Sequence, residues 1–209
     1  LSGDFFDVLP TGDGRLALVV ADASGKSVPA SLVAMMAHLL FRIRPEPAAA
    51  PARVLSQINS LLLGNVKRGT FVSAIYAVLD PERHLLTVAN AGHLPLVVWH
   101  SREKVATTHR AHGAVLGVLS AAAYEGQIAE ETIELAPGDR FLLFTDGVNE
   151  AMAPGNKEFG MENLRLRLKS ESDLASADFV SRLTSEIEVH RAGGEQSDDI
   201  TFVTARRLG

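Results

Sequence analysis

Two kinds of apolar pattern alternate along the chain: short dense runs, and longer stretches with apolar residues every three or four positions. Leu16 to Ala21 (LALVVA) is a dense run and predicts a buried strand that stops at Asp22. From Pro29 to about Arg44 the spacing is helical, with Leu32, Met36, Leu39 and Ile43 in line and Val33, Ala37 and Leu40 beside them. Pro29 suits the first turn of that helix, where a missing N–H costs nothing. The segment PEPAAAP, Pro45 to Pro51, breaks the pattern. A second helix sets Val54, Leu55, Ile58, Leu61 and Leu62 on one side, and Gly64 to Gly69 reads as a loop. The apolar faces of both helices are expected to be core.

The middle of the chain is rich in strands. Phe71 to Leu79 is dense in β-branched and aromatic residues, and Asp80-Pro81-Glu82-Arg83 forms a turn after it. Leu85 to Ala91 and Leu96 to Trp99 are further strands, followed by the turn SREK. Thr132 to Leu135 and Arg140 to Phe144 flank the tight turn Pro137-Gly138-Asp139. Two amphipathic helices, Met161 to Lys169 and about Ala177 to His190, precede a last strand from Ile200 to about Ala205. In the second of these, Phe179, Val180, Leu183 and Ile187 share a face. Strands that cluster apart from helices predict an α+β fold with antiparallel sheets, not alternating β-α-β units. No internal repeat or long linker divides the chain, so one domain over residues 1–209 is expected.

Composition narrows the chemistry. The chain has no cysteine, which excludes disulfides, thiolate catalysis and thiolate metal sites and fits a cytoplasmic protein. A net charge of -5 argues against nucleic acid or an anionic membrane surface as the main partner. No apolar run approaches transmembrane length, and no signal peptide is expected. The sequence starts at Leu1, directly on the motif-like SGDFFD, and is expected to be a piece of a longer protein.

The loop after the first apolar run, Gly25-Lys26-Ser27, has the look of a phosphate-binding loop. That motif needs a glycine five positions earlier, and the residue there is Val20. What remains is an aspartate at the end of a buried strand. Three others share its setting at strand edges: Asp4 in SGDFFD, Asp146 in FLLFTDG and Asp198 in QSDDITFV. Converging carboxylates repel one another and persist mainly where cations neutralise them. Oxygen-only ligation suits hard ions such as Mg²⁺ or Mn²⁺. Taken singly, Asp146-Gly147 is an ordinary turn, and Ser197-Asp198-Asp199 would serve to start a strand or cap a helix. Asp7 and Asp13 are expected to be solvated turn residues. His93, in NAGHLP, has two readings: a general acid, or a histidine whose ring fixes a turn, the latter being favoured. His109 and His112 fall in a poorly patterned stretch and receive no role.

The ordered set resembles the metal-dependent serine/threonine protein phosphatases of type 2C, in their bacterial SpoIIE-like branch. The resemblance rests on SGDFFD (Ser2–Asp7), DASGKSVPASL (Asp22–Leu32), FVSAIYAVLD (Phe71–Asp80), NAGHLP (Asn90–Pro95), LAPGDRFLLFTDGVNEA (Leu135–Ala151) and SDDIT (Ser197–Thr201). Ser27 stands where glycine is common in the family, Asn149 where threonine is, and Ala23 where glycine or valine is; none of these removes a ligand.

The resemblance implies a four-layer α-β-β-α sandwich, two central sheets flanked by helices, with two Mg²⁺ or Mn²⁺ ions between the sheets. Matched motif to motif, Asp22 would bridge the ions and activate water, helped by the backbone carbonyl of Ala23 and by Asp4. Asp146 and Asp198 would hold the other ion, with Asp199 and Gly147 nearby as outer or third-metal residues. Lys26 and His93 are candidate substrate or regulatory residues. The implied reaction is hydrolysis of phosphoserine or phosphothreonine by a metal-bridging hydroxide, on a signalling partner like an anti-anti-sigma factor. A cysteine nucleophile and a G-x-S-x-G serine elbow are both missing, which leaves direct attack by water. Implied partners are an upstream sensor or receiver domain or an activator, and a second copy in a homodimer. The rival readings are a weakly catalytic docking module of the same fold, and a different two-metal phosphoesterase.

Overall fold

A computed structural model describes residues 1–209 apart from Leu1, Lys26, Pro45, Pro47, Arg68, Glu195 and Ser197. Two compact units emerge, residues 1–95 with 110–134 and residues 96–109 with 135–209.

In the first unit the chain forms β1 (Asp4–Pro10), β2 (Leu16–Ala23), α1 (Val28–Arg42), α2 (Pro51–Leu62), β3 (Val72–Asp80) and β4 (Leu85–Ala91). After an excursion through the second unit it adds α3 (Ala121–Glu125) and β7 (Glu130–Glu134). Among the described residues, five strands make one antiparallel sheet in the order β1-β2-β3-β4-β7. The period of 2 in a strand sends alternate side chains to opposite faces. Ala17, Val19, Ala21, Ala74, Tyr76 and Val78 therefore form one apolar face, and they pack with Phe41, Val54, Leu55 and Ile58 of the helices. Phe41 stacks on Tyr76 with ring centroids 5.7 Å apart. Arg44 closes the end of α1: its guanidinium donates to the carbonyls of Phe41 at 3.0 Å and Pro10 at 3.1 Å.

The helix α1 corrects the expectation drawn from its spacing. Its buried side is Ala30, Ala34, Ala37 and Phe41. Leu32, Leu39 and Ile43 are 59%, 55% and 63% exposed. Alanines let the helix axis approach β1 and β2 closely, and that contact outweighs the larger apolar area of the leucine side. Helix α2 follows its pattern more closely, burying Val54, Leu55, Ile58 and Leu62 while Leu61 faces outward.

Asp7 is also a correction. It lies within β1 rather than in a turn, and its carboxylate meets His38 Nε2 at 2.8 Å and Arg42 at 3.2 Å. The patterning gave no sign of this because the partners sit on a helix some thirty residues away. Asp13 is the turn residue expected of it. Hydrogen bonds from Arg15 and Thr11 hold its carboxyl well below the usual carboxylate range.

The second unit contains β5 (Leu96–His100), β6 (Val105–His109), β8 (Arg140–Phe144), α4 (Asp146–Asn149), β9 (Met152–Ala153) and β10 (Lys157–Glu158). It ends in α5 (Gly160–Ser170), α6 (Ser176–Arg191) and β11 (Phe202–Arg206). Its described strands form an antiparallel sheet in the order β11-β8-β5-β6, beside the short hairpin of β9 and β10. Leu164, Leu168, Phe179, Leu183 and Ile187 supply the buried faces of α5 and α6. Arg140 is fully buried with its guanidinium 4.5 Å from the Phe179 ring centre, and it donates to the carbonyls of Ser172 and Leu174 and to Thr204 Oγ1. Burial depresses its pKa, as expected where a charge leaves water.

The stretch that looked unpatterned around His109 is β6, an exposed edge whose polar alternation carries little hydrophobic signal. His100 and His109 both reach Thr107 Oγ1, at 2.8 and 2.7 Å, and His100 also faces the buried carboxylate of Asp139 at 3.4 Å. The α+β class read from the sequence is borne out by two antiparallel sheets with attendant helices. Among the described residues no helix is long and apolar enough to cross a membrane.

Candidate metal centre

Four of the aspartates singled out by the sequence lie in two pairs, one in each unit. In the first unit Asp4 and Asp22 are direct cross-strand partners at the end of β1 and β2. Opposed residues in an antiparallel pair have Cβ atoms about 5 Å apart, and like charges at such positions are destabilising. Both side chains are only partly buried, so neither suffers full desolvation. Both lie on the face opposite the one covered by α1 and α2, because their alternation is out of step with Phe5, Ala21 and Ala23.

Gly3 explains how oxygens gather there. A side chain at Gly3 would lie 2.8 Å from Asp22 Oδ1 and 2.9 Å from the carbonyl oxygen of Ala23. Those two oxygens thus converge on one small space that glycine leaves open. The following turn is held by Ala23 N–H donating to the Gly3 carbonyl at 3.1 Å and Ser24 N–H donating to the Phe71 carbonyl at 2.9 Å. The donors are all hard oxygens, a set that fits Mg²⁺ or Mn²⁺.

In the second unit β8 runs buried to Phe144, and Thr145 then turns the chain into α4, which begins at Asp146. Thr145 is tied to Thr201 by three bonds: N–H to carbonyl at 2.9 Å, hydroxyl to carbonyl at 3.3 Å, and Thr201 N–H to hydroxyl at 3.1 Å. Gly147 sits against the segment that leads into β11, so closely that a Cβ there would lie 1.8 Å from the Asp199 carbonyl oxygen. Asp146-Gly147 and Asp198-Asp199 are therefore adjacent in space although some fifty residues apart in sequence. Asp198 turns back on itself, accepting the Asp199 N–H at 2.9 Å. Among the described residues no group of three or more histidine, aspartate or glutamate side chains is gathered as a cation site.

His93 belongs to the first unit. Asn90 folds the NAGHLP turn around it, accepting the His93 N–H at 2.7 Å and donating to the carbonyls of His93 and Leu94, each at 3.1 Å. The ring's Nδ1 lies 2.8 Å from Ser73 Oγ, and Ser73 is the cross-strand partner of Asp22 on β3. Sequence reasoning passed over Ser73. The available signal was a short hydroxyl side chain in an almost wholly apolar strand. Lys26 lies outside the described residues.

Comparison with known proteins bears on the family and the fold. Residues 12–208 match the family described as Stage II sporulation protein E (SpoIIE). The phosphoserine phosphatase RsbU of Bacillus subtilis (strain 168) is 29% identical over 99% of this chain, which spans 60% of that protein's length. The SiaA-PP2C domain of Pseudomonas aeruginosa superimposes with a TM-score of 0.81 at 23% identity, over 98% of this chain and 80% of that one. RsbX, solved in complex with magnesium, superimposes with a TM-score of 0.67 at 17% identity, over 98% of this chain and 86% of that one. The sheet-and-helix plan is thus that of PP2C domains. With nearly its whole length matched to SpoIIE, the chain belongs to the SpoIIE-like branch of the type 2C protein phosphatase family.

Proposed function

We propose that this chain is a metal-dependent protein serine/threonine phosphatase, a single catalytic domain over residues 1–209. Asp4, Asp22 and the Ala23 carbonyl are assigned to one divalent ion, and Asp146 and Asp198 to a second. Asp199 and Gly147 lie beside the second pair as outer residues. The observation that carries the reading is the opposition of Asp4 and Asp22, with Asp22 Oδ1 and the Ala23 carbonyl turned to the space beside Gly3. Two carboxylates so placed repel unless a cation lies between them.

When bound, Mg²⁺ or Mn²⁺ would supply Lewis acidity, easing deprotonation of water and neutralising negative charge on a phosphoryl group. The protein's part is to hold the ligands still. The β1–β2 register fixes Asp4 against Asp22, and the Thr145–Thr201 bonds fix the turn that presents Asp146. The relative RsbU is a phosphoserine phosphatase, which supports a phosphoserine or phosphothreonine substrate; a protein like an anti-anti-sigma factor is the substrate we infer.

Regulation is proposed to enter through α1, from an upstream regulatory domain or activator or through a homodimer. Val28, Leu32, Met35, Leu39 and Ile43 make an exposed apolar stripe on that helix, more than a lone folded domain usually leaves in water. The helix directly follows the Asp22-Ala23 turn, so a shift of α1 would move those ligands.

The deciding experiment is release of phosphate from a phosphoserine protein with and without Mn²⁺, run beside Asp146→Ala. Metal-dependent release by the unaltered protein, lost in the variant, is the expected result. Equal activity in both would remove Asp146 from the site. No activity in either would favour a docking module of the same fold.

A further inference from the structure

On the sheet face that bears Asp4 and Asp22, the polar row does not stop at β2. Ser73 continues it on β3, directly opposite Asp22, and His93 continues it beyond Ser73 through the 2.8 Å contact of Nδ1 with Oγ. The Asn90 side chain holds the His93 backbone by two hydrogen bonds and the Leu94 carbonyl by a third, which seats the imidazole beside Ser73. Gly92 keeps the approach tight: it has φ +66° and pairs with Ala74, the neighbour of Ser73. The row thus reads Asp4, Asp22, Ser73, His93, with charge at one end and a buried imidazole at the other.

We propose that Ser73 and His93 are positioning residues for Asp22, setting the carboxylate's orientation and hence the affinity of the cation site. This rests on the reading of Asp22 as a metal ligand. Asp22 Oδ1 lies toward the space beside Gly3, on the β1 side, and a carboxylate free to rotate would swing from that orientation toward β3. Ser73 limits that swing from the far side. When His93 Nδ1 carries the proton it donates to Ser73 Oγ, which frees the serine hydroxyl proton to point at Asp22. A hydrogen bond to a carboxylate is stronger than one between neutral groups. Partners of this outer kind typically change metal affinity by about 10–100-fold.

The test is direct Mn²⁺ binding to the 209-residue chain, followed by calorimetry and by the loss of the free-ion paramagnetic signal. Ser73→Ala and His93→Ala are each expected to weaken binding by about 10-fold or more. Ser73→Thr, which keeps the hydroxyl, is expected to restore it to within about threefold, well inside the range that loss of an outer partner produces. The thermal midpoint in chelator is measured for every variant; those of Ser73→Ala and Ser73→Thr should agree, so that a difference in binding is not one of folding. Asp22→Asn run in parallel is expected to abolish binding at the site. If Asp22→Asn does so while Ser73→Ala binds like the unaltered protein, the positioning role is overturned and the ligand assignment stands. If Asp22→Asn binds normally, the ligand assignment fails and the positioning role with it.

Discussion

Asp4 and Asp22 face each other across β1 and β2, so without a cation each carboxylate raises the free energy of the other. This gives the pair a signature that ordinary surface aspartates lack. In chelator, Asp4→Asn should stabilise the chain against urea by about 0.2–1 kcal/mol, the size of one unfavourable cross-strand pair. In saturating Mn²⁺ the sign should reverse, because the variant forfeits a ligand. Urea melts in the two conditions check both signs, and a variant less stable in chelator would mean the two charges do not repel as placed. Most of the site aspartates are plain in the sequence, since an acid ending an apolar run is conspicuous. Asp7 was misread because nothing near it in the chain announces His38 and Arg42. Ser73 was passed over for a related reason: a serine in a strand has meaning only through what stands opposite it.

At the scale of elements, α1 shows where periodicity misleads. Its sequence offers two apolar sides, one rich in leucine and one of alanines ending in Phe41, and the sheet takes the second. The choice follows from close packing, since small side chains allow an approach that brings Phe41 onto Tyr76. Substitutions on the two sides should therefore behave oppositely to what residue size suggests. Ala37→Leu, under the helix, is expected to cost about 1–3 kcal/mol by overpacking. Phe41→Ala should cost about 3–5 kcal/mol. Leu39→Gln, on the outer stripe, should stay within about 0.5 kcal/mol. Equilibrium denaturation of the three variants checks the order; a large loss for Leu39→Gln would place that face in the core after all. Strands with dense apolar runs, β2, β3 and β8, were legible in advance, whereas β1 and the edge strand β6 were not. Edge strands keep polar residues on the side that meets water, and the alternation is diluted accordingly.

For the molecule as a whole, bound ions and folding should be linked. A ligand that binds only the folded chain stabilises it by about 2.7 kcal/mol at a hundredfold excess over its Kd. Thermal unfolding in increasing Mg²⁺ or Mn²⁺ should show the midpoint rising with concentration, and Asp22→Asn should flatten that rise. A midpoint indifferent to metal in the unaltered chain would count against the proposed centre. The order of motifs from SGDFFD to SDDIT was enough to indicate the family, and the α+β class followed from the grouping of strands and helices, because burial imposes periods of 2 and 3.6 on any chain that folds. Local sequence likewise determined that carboxylates would sit at strand ends. The register that sets Asp4 against Asp22 and Ser73, the glycine contact that joins Asp146-Gly147 to Asp198-Asp199, and the side that α1 turns to its sheet were decided only in three dimensions. Each depends on which distant segments come to lie side by side, and pairing between strands is a contest among whole-chain arrangements that no local window of residues can register.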